Sequence, residues 1–448
     1  MRHSYASVLL LAGQSLAAPV DNANETPAGV LHLPLVPVTP DPQDADLSRR
    51  QAQADLEVYR FLGRRPVVGF GMPLELGTPA QMVIVEPDTG SDLFWVPQVR
   101  AGKVRDEPAS VYFDKDRSTS RRELNKEYGS QYGQNEFVLW NVSADVVSIK
   151  GTLSNTQRKE NQSPTHWCIL GRSLGELQFG VANLEKWPTR VGRNVGILGL
   201  RAPGPKNSYA SEFILKKMLD NKVISDAAFS MSVDGNGKGA ITFGGYDTKK
   251  FAGPLETFPF ASQTSNHYVV NMKSISVSDG TNADQVIQGQ GLTIGLDSGS
   301  PAVALKKALY DQVVAALGAT VPQGSSVPVV NCTLMRDARL TLAMSDTLSI
   351  TIPVEDFEMN IPQLKTGGNC PVAIISGNYP ADVWIGGHFL RRAYVVYDSA
   401  RRNIHVARVG NCGSNVVAIS GGLPTGLVGE CSEQPLGPIP APDAPGDH

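Results

Sequence analysis

Two short acidic loops carry the chemistry open to this chain: Asp88-Thr89-Gly90-Ser91 in its first half and Asp297-Ser298-Gly299-Ser300 in its second. Each offers a carboxylate, a hydroxyl beside it, a glycine that lets backbone approach closely, and a second hydroxyl further on. One such loop is ordinary turn chemistry, because aspartate, serine and glycine are the usual residues of surface turns. Two copies imply one shared site, in which paired carboxylates hold and activate a water molecule. Competing chemistries lack their residues. The sequence has no His-Glu-x-x-His zinc arrangement, no Gly-x-Ser-x-Gly nucleophile elbow and no phosphate-cradling loop, and Cys168 has no histidine-bearing motif. The glycine-rich run 234–239 reads as a hairpin turn between Phe229–Val233 and Ala240–Phe243. No metal and no cofactor are expected.

The elements that must hold the two loops repeat in the same order. Leu74 to Val85 precedes the first triplet and Leu93-Phe94-Trp95-Val96 follows it, both strand-like; Leu292 to Leu296 precedes the second. Downstream of each lies an apolar-apolar-Gly element, Ile197-Leu198-Gly199-Leu200 and Trp384-Ile385-Gly386-Gly387. The halves therefore read as duplicated. Helical spacing occurs at Leu309, Val313, Ala316 and Leu317 before Gly318, and more briefly at Leu215, Met218 and Leu219. His405, in a strand-like run, is expected to face outward.

Further phrases lie between residues 66 and 410: Gly77-Thr78-Pro79, Phe243 to Asp247, Phe389-Leu390-Arg391 and Tyr394 to Asp398. With these the chain resembles the pepsin-like aspartic proteases, in particular the secreted yapsin-like enzymes of fungi. The resemblance implies a mostly-β, bilobal pepsin-like fold: two duplicated β-barrel-like lobes around a central cleft, with a few short helices. It implies that Asp88 and Asp297 share one proton around one water, the ionised member deprotonating the water and the protonated one donating to the peptide carbonyl. Thr89 and Ser298 would cross-brace the loops, Gly90 and Gly299 would permit close approach, and Ser91 and Ser300 would hold the outer carboxylate oxygens. A lid hairpin carrying Tyr-Gly is also implied. Tyr132-Gly133, 13 positions before Asp145, is the first candidate and Tyr128-Gly129 the second, with Trp95 as the hydrogen-bonding neighbour. Cys332 with Cys370 matches the family's disulfide. Departures are Glu86-Pro87 before the first aspartate, Pro301 to Ala304 after the second loop, His388 where the family usually has aspartate, and a missing second glycine in the lid.

Bulk properties set the remaining bounds. At 448 residues and 41% hydrophobic, the chain can bury two sizeable cores. A net charge of −3 argues against a nucleic-acid partner, and no apolar run approaches the ~20 residues that span a bilayer. Residues 1–18 read as a secretory leader, which places the chain outside the cell and its five cysteines in an oxidising setting. Residues 19–50 read as a propeptide ending at Arg49-Arg50, with Arg64-Arg65 as a later maturation point and Val30 to Leu35 able to add a strand to the protease sheet. The lobes are expected over 66–248 and 249–410, and a disordered Gly/Pro-rich tail over 411–448. Cys412 with Cys431 is a candidate tail clasp that leaves Cys168 unpaired, the connectivity remaining open. Asn141 and Asn331 are glycosylation candidates, and Asn161 a weaker one. The expected protein is a secreted, monomeric, acid-active aspartic endopeptidase made as a zymogen, whose partners are a protein or peptide substrate and its own propeptide, with no membrane partner. The alternative is a catalytically silent pepsin-fold binding protein, which would have lost or distorted one triplet.

Overall fold

The computed structural model describes residues 26–38, 69–98, 112–132, 136–150, 171–182, 196–201, 214–233, 239–282, 284–359 and 361–432. The leader, both dibasic pairs, Gly133, Asn161, Cys168 and residues 433–448 lie outside them.

The chain is mostly strand. One thirteen-stranded sheet runs from Phe251–Pro259 at one end to Arg122–Tyr132 at the other. The second half adds a five-stranded sheet, a four-stranded sheet and the two-stranded pair Val329–Asn331 with Asn369–Pro371. The alternation that sequence reading relies on is visible in Arg339–Ala343 and in 349–352, where Leu340, Leu342, Ile350 and Ile352 are buried and the residues between them are only half-buried. The expected helices form at Ile214–Asp220 and Lys307–Ala316. The second stops where Gly318 takes φ 59°, a left-handed turn that glycine adopts without steric cost.

Each half repeats one strand arrangement around its acidic loop. In the first, Gln81–Asp88 runs parallel to Gly196–Gly199, which pairs antiparallel with Phe94–Pro97. In the second, Leu292–Leu296 runs parallel to Val383–Ile385, which pairs antiparallel with Val303–Leu305. In both, a strand enters, ends at or one residue before the aspartate, turns through the loop and returns on the far side of the apolar-apolar-Gly strand. That shared topology is the duplication read from the sequence, and it gives the pepsin-like bilobal fold.

The strand Leu31–Val38 joins the middle of the large sheet, pairing with Gly239–Phe243 on one side and Gly69–Leu76 on the other. Leu31, Leu33 and Leu35 are buried, as alternation requires. Two expectations are corrected. His405 does not face outward: its strand, Asn403–Val409, lies between Phe251–Pro259 and Ala393–Asp398, and its side chain is buried against the Thr257 hydroxyl at 2.9 Å. Residues 411–432 are ordered rather than a loose tail. Val416–Ala418 pairs with Gly245–Asp247, Ile419 packs in a cluster with Tyr246 and Phe251, and a Cys412–Cys431 disulfide closes the segment. A disulfide likewise joins Cys332 and Cys370.

Candidate active site

The loops meet because their backbones and hydroxyls complete each other. Thr89 N–H donates to Ser298 Oγ at 2.9 Å, and Ser298 N–H donates to Thr89 Oγ1 at 2.8 Å. Each hydroxyl in turn donates a hydrogen bond across the junction, Thr89 Oγ1 to Leu296 O at 2.8 Å and Ser298 Oγ to Pro87 O at 2.5 Å. Both residues are about fully buried, so four polar groups that water cannot reach are satisfied only by the opposite half. Pro87, the departure before the first aspartate, contributes through the carbonyl that proline retains. Beneath the loops, Phe229 stacks on Tyr397 at 4.9 Å, and Tyr268 meets Tyr397 edge-on at 4.8 Å while donating its hydroxyl to Leu200 O at 3.0 Å. That aromatic floor ties both halves to the same platform.

The glycines set how close the carboxyls come. A methyl group on Gly90 would lie 2.5 Å from the Asp297 carboxyl, and one on Gly299 would lie 2.7 Å from Asp88 Oδ1. Any other residue would push the carboxylates apart. Gly90 N–H donates to Asp88 Oδ1 at 2.8 Å and Gly299 N–H to Asp297 Oδ1 at 2.9 Å. Ser91 Oγ donates to Asp88 Oδ2 at 2.5 Å. Burial, then the charge of Asp88 and a hydrogen bond to it, hold the Asp297 carboxyl well above the usual carboxylate range, and the N–H groups of Trp384 and Gly299 oppose that rise.

One expected contact is replaced. Ser300 Oγ donates to Ala302 O at 3.0 Å rather than to its aspartate, and the indole Nε1 of Trp384 donates to Asp297 Oδ2 at 2.7 Å. Sequence reading missed Trp384 because a tryptophan in an apolar run reads as core. The signal available was Gly295, directly opposite Trp384 in the parallel pair, where only a glycine leaves room for the ring.

The lid candidates separate by what is described around them. Tyr132 ends its strand at the hairpin tip opposite Glu136, and neither its side chain nor Gly133 lies among the described residues. Tyr128 sits opposite Trp140 and packs against a buried cluster of Trp95, Val138, Trp140, Ala182 and Ile197. Trp95 stacks on Trp140 at 6.4 Å. Trp95 and Tyr128 thus share one cluster. Asn141 is exposed on Glu136–Lys150, and Asn331 is exposed with its side chain accepting from Thr333 N–H at 2.8 Å.

At the rim, Arg201 donates to Asp92 Oδ1 at 3.0 Å and meets His267 Nε2 at 2.9 Å, tying the two halves together. Burial and the Arg201 guanidinium push His267 down to about 4. His388 is buried near the second loop, with Nε2 on Pro301 O at 3.1 Å and its ring edge-on to Phe357. No group of three or more His, Cys, Asp or Glu residues able to hold a metal occurs among the described residues. No helix among the described residues is long and apolar enough to cross a membrane.

A pair of carboxyls in hydrogen-bonding contact, one holding a proton and both fixed by N–H donors, can act together as base and acid on one water and one carbonyl. A model of the eukaryotic aspartyl protease family matches residues 70–409. The "Probable aspartic-type endopeptidase opsB" of Aspergillus oryzae is 28% identical over 82% of this chain and 73% of its own length. Secreted aspartic protease 5 of Candida albicans is 25% identical over 91% of this chain and 92% of its own, and cathepsin E of Cavia porcellus 26% over 75% and 79%.

Proposed function

We propose that this chain, which belongs to the eukaryotic aspartyl protease family and is an aspartic-type endopeptidase acting on peptides, is secreted and cuts its substrates in acid through a water held between Asp88 and Asp297. The observation that carries this reading is the reciprocal exchange across Thr89 and Ser298, which holds two carboxyls in hydrogen-bonding contact. Like charges so close cannot both ionise, so one proton is shared. The rise at Asp297 makes it the acid. Asp88 then acts as the base, taking a proton from the water as the water oxygen attacks the peptide carbonyl. Asp297 gives its proton to the carbonyl oxygen, forming a tetrahedral diol; as the C–N bond then breaks, Asp88 passes the proton it took from water to the leaving amine nitrogen, and a hydroxyl of the diol returns a proton to Asp297 as the carboxyl product forms.

The hairpin of Arg122–Tyr132 and Glu136–Lys150 is the lid in this reading, excluding water once substrate is bound. Tyr132, at the hairpin tip, and Tyr128, resting on the Trp95 cluster, are its two candidate tyrosines. Residues 1–18 serve as leader and 19–50 as propeptide, with maturation after Arg50 or Arg65. Within that propeptide, Leu31–Val38 is a strand of the central sheet, so the zymogen is completed by its own precursor segment.

The test is acid incubation of the protein with a peptide library at several pH values, with and without a statine-type inhibitor. Inhibitable cleavage is expected. Asp297→Asn should fold normally yet hydrolyse nothing, and near-normal turnover by that variant would refute the assignment.

A further inference from the structure

The two halves hold their carboxylates differently. In the first, Ser91 donates to Asp88 Oδ2, and Ile197 begins the apolar-apolar-Gly strand opposite Glu86. In the second, Ser300 turns to Ala302 O, and the residue matching Ile197 is Trp384, opposite Gly295. Its Nε1 donates to Asp297 Oδ2 at 2.7 Å. We propose that Trp384 is the positioning residue of Asp297, supplying from an indole the hydrogen bond that Ser91 supplies from a hydroxyl at Asp88. The inference rests on the aspartate-pair reading above.

The ring is held on every side that matters. A methyl group on Gly295 would lie 2.2 Å from Trp384 Cε3, so the strand beneath it gives up a side chain to seat it. Tyr379 stacks on the indole at 5.5 Å and 20°, and His267 meets it edge-on at 5.6 Å. Trp384 is only 4% exposed. A hydroxyl can rotate and can donate or accept, whereas an indole N–H in a fixed ring donates along one line. The difference has a chemical consequence. A donor-only partner favours the ionised carboxylate, so the Trp384 contact strengthens as Asp297 passes its proton to the substrate oxygen. An interaction stronger in the transition state than in the ground state raises kcat and leaves KM nearly alone.

The experiment compares wild type with Trp384→Phe and with a protein carrying β-(3-benzothienyl)alanine at position 384, which keeps the bicyclic ring and replaces N–H by sulfur. Near-UV circular dichroism and unfolding midpoints check that the folds match. Both variants should lose roughly tenfold or more in kcat, the range expected for one hydrogen bond to a charged group, with KM within about twofold. The alkaline limb of the kcat/KM profile should move up by about one pH unit, since Asp297 without its donor holds its proton longer. Unchanged kcat and an unchanged limb in the sulfur analogue would overturn the inference. So would lost kcat without a shifted limb, which is what a purely packing role produces. If instead wild type is inactive in acid, or Asp297→Asn retains turnover, the aspartate-pair reading itself fails, a result that the Trp384 variants cannot mimic.

Discussion

Ser298→Ala removes a hydroxyl that satisfies two buried backbone groups at once. Its oxygen accepts from Thr89 N–H at 2.9 Å and donates to Pro87 O at 2.5 Å, at a residue 1% exposed, where no water can substitute. Alanine leaves that N–H and that carbonyl unpaired. Each such group costs ~1–3 kcal/mol, so the variant should lose about 2–6 kcal/mol, a large part of the ~5–15 kcal/mol that holds a typical protein folded. Thr89→Val keeps the branched shape and removes the matching pair of bonds, to Leu296 O and from Ser298 N–H, both at 2.8 Å. Its cost should be similar.

All four bonds join the same two loops, so the losses should not add. Once either hydroxyl is gone the junction relaxes and the other has less to hold, and the double variant should fall short of the sum by ~0.5–3 kcal/mol. Urea unfolding at neutral pH, followed by tryptophan fluorescence, measures the cycle. Turnover in acid measures what the geometry is worth: displacement of the aspartates by an ångström should lower kcat about 100-fold. A stability loss below 1 kcal/mol for Ser298→Ala, or strict additivity in the cycle, would refute the account of the junction.

Two further outcomes follow from other parts of the fold. His388 is pushed down to about 3 by burial and by the Arg391 charge, so the unfolded chain, with a histidine near 6.5, binds the proton more readily. Its contribution is intact above pH 6.5 and is lost as pH falls from 6.5 toward 3, on the order of 3 kcal/mol between pH 7 and pH 4. His388→Gln, which can keep the bond to Pro301 O, should therefore show a smaller drop in urea midpoint over that interval, and an equal drop in both proteins would contradict the assignment. Leu33 is fully buried in the strand pairing with Gly239–Phe243, so Leu33→Ala should destabilise the precursor by ~2–5 kcal/mol. Calorimetry before and after cleavage would then report whether the strand stays: an equal deficit means it is retained, and loss of the deficit on maturation means it leaves. No deficit in the precursor would contradict its place in the core.

What could be read in advance was whatever depends on local pattern. Strand runs flanking both triplets, the paired apolar-apolar-Gly elements and the helix ending at Gly318 carry their period in the sequence, and the fold follows them. Contacts decided by tertiary approach were not readable in the same way. Tyr128 and Tyr132 are four residues apart on one strand, and their spacing from Asp145 does not reveal which tertiary neighbours either one meets. Tyr128 reaches the Trp95 cluster only because Phe94–Pro97 and Glu136–Lys150 both pack beside Gly171–Ala182. His405 reads as a surface residue until its strand acquires a neighbour on each side. Trp384 shows the same limit. Nothing in Val383-Trp384-Ile385 announces a polar role, and the parallel register that sets Trp384 over Gly295 turns a core-like side chain into a donor to Asp297 Oδ2. A duplicated fold fixes where the two aspartates stand. How each is held was free to diverge, because a carboxylate oxygen needs a donor and does not specify which side chain provides it.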